Sequence, residues 1–149
     1  MADRPWAMMA GMLVVLTITS ALAAVEDIGQ IKTLTGEVYI ERQNVKRLAQ
    51  VGDRLEAADA VITGPNSRVG ITFIDNSRFS AGPQTHIELA QFQFNPTTHD
   101  GAFSTEMRHG TLSIISGHIA KRSPDAMKVR TPTTILGVRG TQVLLKVEE

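Results

Sequence analysis

The side chains in this sequence with the clearest capacity for chemistry are its histidines. They lie in four separate segments, as His86, His99, His109 and His118. A zinc site usually combines closely spaced histidines with cysteines or carboxylates, and the chain has no cysteine. The spacing therefore predicts surface histidines, with no bound metal and no other cofactor.

The sequence shows no recognisable catalytic motif. It has no Gly-x-Ser-x-Gly segment of the kind that presents a nucleophilic serine. The stretch from Gly137 to Gly140 is too short for a phosphate-binding or dinucleotide-binding loop. It also precedes a strand pattern, whereas those loops precede a helix. Carboxylates such as Glu37 and Glu41 are explained more simply as solvent-facing. We therefore expect a protein that is not an enzyme.

Arg139 is the charged residue with the most unusual setting, because Gly137 and Gly140 flank it just before Thr141. Flanking glycines indicate a backbone with positive φ or a close approach by another segment. A guanidinium buried in such a place must be paired, because an uncompensated buried charge is strongly destabilising. The interpretation that we favour is a structural pairing with an aspartate in an earlier loop. The candidates are Asp53, Asp59 and Asp75.

The alternative interpretation is that Arg139 faces outward and binds an anionic ligand. The segment from Lys121 to Lys146 is basic, with Asp125 as its acidic residue. Solvated sides of strands explain such a bias in the simplest way; if it marks a binding surface, the candidates are Lys128, Arg130 and Arg139. The whole chain has zero net charge, which argues against nucleic acid as the partner.

The elements that must position these residues are short strands. Apolar and polar residues alternate over short runs, which is the period of a half-buried strand, and turn signals such as Gly64-Pro65, Gly82-Pro83 and Asn95-Pro96 separate the runs. Their recurrence about every 8 to 12 residues predicts one all-β domain, which we place at residues 28–147. The alternating apolar residues are Val38 and Ile40; Val69, Ile71 and Phe73; Ile87 and Leu89; Phe92 and Phe94; Leu112 and Ile114; Met127 and Val129; and Val143, Leu145 and Val147.

The segment from Val45 to Ala60 is the least regular, and we predict short strands linked by turns. Asp53, after Gly52, and Asp59, before Gly64, each stand shortly ahead of an apolar residue. An aspartate in such a position tends to accept a hydrogen bond from the backbone two residues on, which fixes a turn. The two aspartates are therefore predicted to set where the next strands begin.

Residues 1–23 have the layout of a secretory signal peptide. Arg4 precedes an apolar run from Trp6 to Leu16, and small residues follow. We predict cleavage after Ala23, with Ala24 as the second choice. The alternative is a retained membrane helix, because Trp6 to Val25 reaches the length of about 20 residues that spans a bilayer. Export without cysteine is more typical of a bacterial periplasm than of a eukaryotic secretory pathway, so we expect a periplasmic or cell-surface protein.

Several motifs occur in a characteristic order along the mature sequence. They are Gly52-Asp53-x-Leu55, Asp59 to Gly64, Asp75-Asn76-Ser77, Gly82 to Thr85, Thr131-Pro132 and Gly140-Thr141. Together they resemble the FecR domain, a bacterial envelope module. The resemblance implies a β-solenoid-like or roll-like domain of short strands with a non-enzymatic periplasmic role. Two positions depart from the family pattern, since Ala58 stands where glycine is usual and Asn76 replaces a loop glycine.

The best-known proteins of that family pass a signal from an outer-membrane siderophore receptor to a cytoplasmic sigma factor. This sequence shows neither a segment ahead of its apolar stretch to hold a sigma factor nor a further C-terminal domain, so we expect a different role. The leading hypothesis is an envelope binding module that recognises a protein or a polysaccharide. The alternatives are an accessory sensor in iron-siderophore signalling and a structural component that adds strands at an exposed edge. The sequence leaves the oligomeric state open.

Overall fold

The computed structural model of the protein describes residues 25–139 and 142–148. Strands account for 59% of these residues. Helix is limited in this part of the chain to α1 (His118–Arg122) and a 3-10 turn (Pro124–Ala126), and no described helix is long and apolar enough to cross a membrane. The prediction of an all-β fold is confirmed. The predicted signal peptide with its cleavage sites at Ala23 and Ala24 lies outside the described residues, as do Gly140 and Thr141.

The described strands are short, apart from three. In chain order they are β1 (Asp27–Thr35), β2 (Val38–Arg42), β3 (Val45–Leu48), β4 (Arg54–Glu56), β5 (Ala60–Thr63), β6 (Arg68–Phe73), β7 (Arg78–Ala81), β8 (His86–Phe94), β9 (Gly101–Ile115), β10 (Met127–Arg130), β11 (Ile135–Gly137) and β12 (Gln142–Val147). The segment from Val45 to Ala60 is made of short strands and turns, as its sequence predicts.

The strands form one sheet that curls into a half-barrel. The order along its main path is β3-β2-β5-β8-β9-β7-β6-β1-β4, and β10 and β12 join the other side of β9. Among the described pairs, β9 and β10 run parallel and the others run antiparallel. A solenoid would stack parallel strands coil upon coil, so the solenoid-like or roll-like form is not confirmed.

Strand β9 joins the two halves of the sheet. Its first part pairs with β8 and β10, and its last part pairs with β7 and β12. The change of partner occurs beside Gly110, whose φ is +106°. A Cβ at this glycine would collide with the main chain of Thr85. The Thr85 hydroxyl secures the crossing, because it accepts a hydrogen bond from the Thr111 N–H (3.0 Å) and donates one to the Gly82 carbonyl (2.9 Å).

The core fills the inside of the curl. Strand alternation supplies it, as in β6, where Val69, Ile71 and Phe73 are buried and the residues between them are less so. At its centre the ring of Phe103 packs edge-on against those of Phe73 and Phe92, with centroids 4.8 and 4.7 Å away. Burial of such rings is a large part of the apolar stabilisation in a small domain. The predicted inward alternation is confirmed.

Candidate functional site

The candidate site is the hairpin of β10 and β11. In β10, Met127 and Val129 are buried and Lys128 and Arg130 are exposed. The buried pair is held by the parallel pairing with β9, which places Val129 opposite Thr105. Because successive side chains of a strand point to opposite faces, anchoring Met127 and Val129 inward turns both cations outward.

Strand β11 continues the sheet beyond β10. Lys128 lies opposite Gly137, and Arg130 lies opposite Ile135. Backbone hydrogen bonds close the hairpin at its two ends, from Thr131 N–H to the Thr134 carbonyl (2.8 Å) and from Val138 N–H to the Met127 carbonyl (2.9 Å). This pairing fixes which face of the hairpin each residue occupies.

Arg139 is not part of the core. Its side chain is 74% exposed, and its Nη2 donates to Asp125 Oδ1 at 3.2 Å, where the carboxylate is itself 81% exposed. The favoured interpretation, a buried pairing with Asp53, Asp59 or Asp75, is therefore wrong. The physical reason is alternation: Val138 takes the inward position with 1% exposure, so its neighbour must face solvent.

Gly137 does not create the crowded setting that the sequence predicts for Arg139. Gly137 is absent from the described residues with positive φ. A Cβ built on it would have no atom within 4 Å. Gly137 therefore opens space on the outer face of the hairpin and does not mark a close approach. Gly140 lies outside the described residues, so its part in the motif stays a prediction.

The hairpin brings the three predicted binding residues onto one face. Paired residues of antiparallel strands share a face, so Lys128 and Arg130 face the same way as Gly137 and Ile135. Arg139 follows Gly137 by two residues and faces that way as well. We call Lys128, Arg130 and Arg139 the cationic strip. On the side of the strip nearest β9, Glu106 of β9 lies opposite Arg130.

An apolar groove lies on the other face of the hairpin. Its volume is about 470 Å³, and it runs between the Thr131–Thr134 turn and β12. Its apolar walls come from Leu136, Leu145 and Val147, and the residues of the turn, Lys146 and Glu148 complete its lining. Leu136 is 36% exposed, although it pairs with the buried Val129. The edge of the sheet therefore presents cations on its outer face and an apolar recess on its inner face.

The buried ion pair that the sequence assigned to Arg139 belongs to Arg42. Asp59 is 1% exposed, and its two carboxylate oxygens accept from Arg42 Nε (2.9 Å) and Nη2 (2.8 Å). Glu56 binds the same guanidinium at 3.0 Å. The hydrogen bonds with Asp59 raise the pKa of Arg42 above its usual value. We call Arg42, Glu56 and Asp59 the Asp59 corner. No local pattern indicates it, because its members come from separate segments of the chain, in β2, at the end of β4 and in the turn before β5.

Asp53 and Asp59 close two turns of the same form. The Asp53 carboxylate accepts from Gln50 N–H, and the Asp59 carboxylate accepts from Glu56 N–H, both at 2.8 Å. Each donor lies three residues before its aspartate, so the prediction of a bond two residues after it is wrong. The reason is that each aspartate ends its turn. The residue before it has positive φ, +93° at Gly52 and +72° at Ala58.

Asp75 does accept a hydrogen bond from the backbone two residues on, as an aspartate that fixes a turn is expected to do. Ser77 donates to its carboxylate from both the backbone N–H (3.0 Å) and the hydroxyl (2.7 Å), and both residues are fully buried. The Ser77 hydroxyl also accepts from Gly117 N–H at 3.1 Å. Gly64 likewise joins segments, donating to the Glu37 carbonyl (2.9 Å) and accepting from Gln84 N–H (3.1 Å). These motif residues lie in turns of the framework and not beside the hairpin.

The fold assembles the scattered histidines into two pairs. His86 lies opposite His109 across β8 and β9, with ring centroids 6.0 Å apart. His99 and His118 stack with centroids 4.2 Å apart. The first pair depends on the length of the loop between β8 and β9, because the loop from Asn95 to Asp100 sets Phe94 opposite Gly101 and so His86 opposite His109. The sequence pattern does not predict that length. No group of three or more His, Cys, Asp or Glu side chains arranged to hold a metal occurs among the described residues.

Comparison with known proteins gives one family. A family model described as FecR protein matches residues 59–149. The matched segment begins at Asp59 and contains the β10–β11 hairpin, whereas Gly52 and Asp53 precede it. No curated protein and no solved structure matches the chain.

Proposed function

The chain belongs to the FecR protein family, and from that membership we propose that it is a non-enzymatic, exported binding module. It acts in the periplasm or at the cell surface, where it recognises a protein partner or an envelope polymer such as a polysaccharide. No cofactor takes part. The hypothesis concerns recognition alone, so the relevant chemistry is that of surfaces.

The observation that carries the proposal is the β10–β11 hairpin. Its outer face holds the cationic strip, where Lys128 and Arg130 project from a strand anchored by buried neighbours. A groove of about 470 Å³ lies on the inner face. Cations on a rigid strand next to an apolar recess offer charge complementarity and a pocket for an anchoring side chain, the two features that recognition surfaces combine.

An accessory role in iron-siderophore signalling is the second candidate. Family membership supports it, because the FecR domain is known in that signalling. The two candidates predict different genetic outcomes. A sensor requires that deletion of the gene changes transcription from a sigma-factor-dependent promoter under iron limitation. A binding module outside that pathway predicts no change there, and genes for secretion or for glycan synthesis as its neighbours.

A structural part in an envelope assembly is the third candidate. Strand addition at an exposed edge would build such an assembly, and β11 pairs with β10 alone among the described strands. This role predicts polymers or large complexes of the purified protein that grow with concentration. A recognition module predicts a defined complex with its partner.

The test of the leading proposal is affinity capture from the envelope fraction of the native host. The baits are the wild-type chain, a triple variant of the cationic strip (Lys128→Ala, Arg130→Ala, Arg139→Ala) and a control triple variant of exposed cations elsewhere (Lys32→Ala, Lys46→Ala, Arg68→Ala). We expect one molecule to be retained by the wild type and by the control, and lost with the strip variant. Equal retention by all three baits would contradict this site.

Export needs its own measurement. Mass spectrometry of the chain from the native host should give a mature form that starts at Ala24 or Val25. An intact Met1 form in the membrane fraction would show a retained anchor, and an unprocessed form in the cytoplasm would contradict export.

A further inference from the structure

We propose that the outer edge of β11 binds an extended peptide segment of a partner protein, in which acidic and apolar side chains alternate, as an additional strand of the sheet. This inference rests on the proposed binding function and specifies its surface and the chemistry of its partner. Four observations carry it: the composition of the edge strands, the direction of the β11 backbone groups, the cationic strip and the apolar groove.

The first observation is that β11 differs from the other described edge strands. Four described strands have a neighbour on one side alone: β3, β4, β11 and β12. Natural proteins protect such edges with charged side chains, because an exposed edge otherwise pairs with other chains. Charge is present on β3 (Lys46 and Arg47), on β4 (Arg54 and Glu56) and on β12 (Lys146). Strand β11 is Ile135-Leu136-Gly137 and carries none.

The second observation is the direction of the β11 backbone groups. The bonds Thr131 N–H to Thr134 carbonyl and Val138 N–H to Met127 carbonyl fix the phase of the hairpin ladder. In an antiparallel pair, the residues that exchange hydrogen bonds alternate with residues whose N–H and carbonyl groups point away. The backbone N–H and carbonyl groups of Thr134, Leu136 and Val138 therefore point toward β10. Ile135 and Gly137 direct their backbone groups outward, where an added strand can pair with them.

The third observation is the position of the cations. Lys128 lies opposite Gly137, which has no side chain and open space around it. An added strand would lie about 5 Å beyond β11. The Lys128 side chain can therefore extend over Gly137 and reach an acidic side chain on the outer face of that strand. Arg130 and Arg139 lie one step away on either side and favour acidic residues at alternate positions.

The fourth observation is the recess on the inner face. A side chain of the added strand that points inward would lie beside Leu136, at the groove formed with Leu145 and Val147. An apolar side chain there would cover surface that is now exposed, which is favourable. The edge therefore selects a segment in which acidic residues face outward and apolar residues face inward.

A second copy of this chain fits the same edge less well. Pairing of two β11 strands would bring two cationic strips onto one joined sheet, and like charges brought together destabilise an interface. An acidic segment instead brings charge opposite to that of the strip, although Asp125 and Glu106 also lie beside it. The charge of the strip is therefore the reason for choosing a foreign acidic strand over self-association.

The experiment uses the full processed chain and peptides that it selects. A displayed library of random nine-residue peptides is panned against the immobilised protein, and the strongest peptide is measured by calorimetry. We expect enrichment of alternating acidic and apolar residues. Ile135→Pro removes the outward N–H of residue 135 and leaves the ladder to β10 intact, so it should weaken binding about ten-fold, the effect expected for one lost backbone hydrogen bond. Ile135→Val keeps the N–H and the branched side chain, so its affinity should match the wild type.

A charge exchange provides the second arm, which does not depend on the folding of the proline variant. Lys128→Glu should weaken the acidic peptide and should strengthen a version in which its acids are replaced by lysine. The far-ultraviolet spectrum of each variant checks its fold. Loss of peptide affinity in Ile135→Pro and reversal of charge preference in Lys128→Glu would together support the inference.

Three outcomes would overturn it. Peptides that bind Ile135→Pro and Lys128→Glu as well as the wild type would show another site; the proposed binding function would stand, because recognition would still occur. A concentration-dependent dimer that Ile135→Pro abolishes, without selection of acidic peptides, would identify a second copy as the occupant. Enrichment of basic or uncharged peptides would contradict the charge argument. By contrast, peptide binding at β11 with no partner captured from the envelope would count against the proposed function and not against the edge.

Discussion

Arg42 and Arg139 each bind an aspartate, and the comparison between them separates framework from surface. Arg42 makes two hydrogen bonds to Asp59, which is 1% exposed. Arg139 makes one contact of 3.2 Å to Asp125, which is 81% exposed. The guanidinium chemistry is the same in both. The depth of the carboxylate decides whether the arginine holds the fold together or remains available at the surface.

The strongest test of this comparison makes the same substitution at both arginines. Arg42→Ala leaves the Asp59 carboxylate buried without its cation, so we expect the free energy of unfolding to fall by about 3 kcal/mol, the lower end of the range for a broken buried pair. The lower end applies because the Arg42 side chain is 35% exposed. Arg139→Ala removes an exposed pair and should change stability by less than about 0.5 kcal/mol. Urea denaturation measures both.

The matched control is Asp125→Asn, which removes the charge of the exposed partner and should also leave stability almost unchanged. Similar losses for the two alanine variants would remove the distinction between corner and strip. A large loss in Arg139→Ala alone would restore the sequence-based interpretation of that residue.

The features of this fold that the sequence predicts are those set by local information. Val69, Ile71 and Phe73 alternate within one strand, so their burial follows from the period of the strand alone. Turn residues such as Pro83 also act on their immediate neighbours. These features were enough to predict the all-β class and most of the strands. The sheet order was not predicted, because pairing between distant strands leaves no periodic trace in either of them.

The candidate site shows the same limit. The cationic residues Lys128, Arg130 and Arg139 were found by composition, and the fold then places them on one face. The partner of Asp59 was missed, because the identity of its arginine depends on how β2 and β5 pair. Gly137 does not mark the close approach that the sequence predicts, because glycine marks open space as well as close contact. Composition is therefore enough to identify the residues of the cationic strip. The pairing of the strands is needed to show that Arg139 is exposed and not buried in the core.

The next largest effect concerns a buried aspartate that is bound without an arginine. At Asp75, a serine supplies the donors that Arg42 supplies at Asp59. Ser77→Ala removes the hydroxyl that donates to the carboxylate and that accepts from Gly117 N–H. We expect a loss of about 2 kcal/mol in the free energy of unfolding, because buried polar groups lose their partners.

Ser80→Ala is the matched control, since Ser80 is an exposed serine on the neighbouring strand. It should change stability by less than about 0.5 kcal/mol. Equal effects of the two serine substitutions would show that the buried carboxylate does not depend on Ser77.

A smaller effect compares the two turns that Asp53 and Asp59 close. Gly52 and Ala58 hold equivalent positions with φ of +93° and +72°. An alanine at such φ is strained by about 1–2 kcal/mol. Replacing it by glycine removes this strain, but the net gain in stability is smaller, because glycine also gives the unfolded chain more conformational freedom. We therefore expect Ala58→Gly to stabilise the protein by about 0.5–1 kcal/mol. Gly52→Ala should destabilise it by about 1 kcal/mol through the backbone alone, since a Cβ there meets no atom within 4 Å. Thermal and urea unfolding measure both; a loss of stability in Ala58→Gly would contradict the strain at that turn.

The smallest expected effect concerns His86, which lies near Arg108 and has no buried carboxylate as its partner in the way that Arg42 has Asp59. His86 lies opposite His109 and near Arg108 on the outer surface of β8 and β9. Burial first, and then the charges of Arg108 and His109, lower the pKa of His86 below its usual value; Glu41 opposes the shift and Lys46 adds to it. The unfolded chain therefore binds a proton at His86 more readily than the folded chain does.

The sign of the pH dependence follows. The contribution of His86 to stability is complete above the unfolded pKa of about 6.5, and it is lost as the pH falls through the lower folded value. The free energy of unfolding, measured by urea denaturation between about pH 5 and 8, should therefore decline on the acid side. In His86→Gln this decline should be shallower, because glutamine takes up no proton. An unchanged slope in His86→Gln would show that protonation elsewhere causes the acid sensitivity. The charged neighbours of His86 would then have no measurable effect on stability. As with the two arginines, the degree of burial alone would decide what the residue contributes.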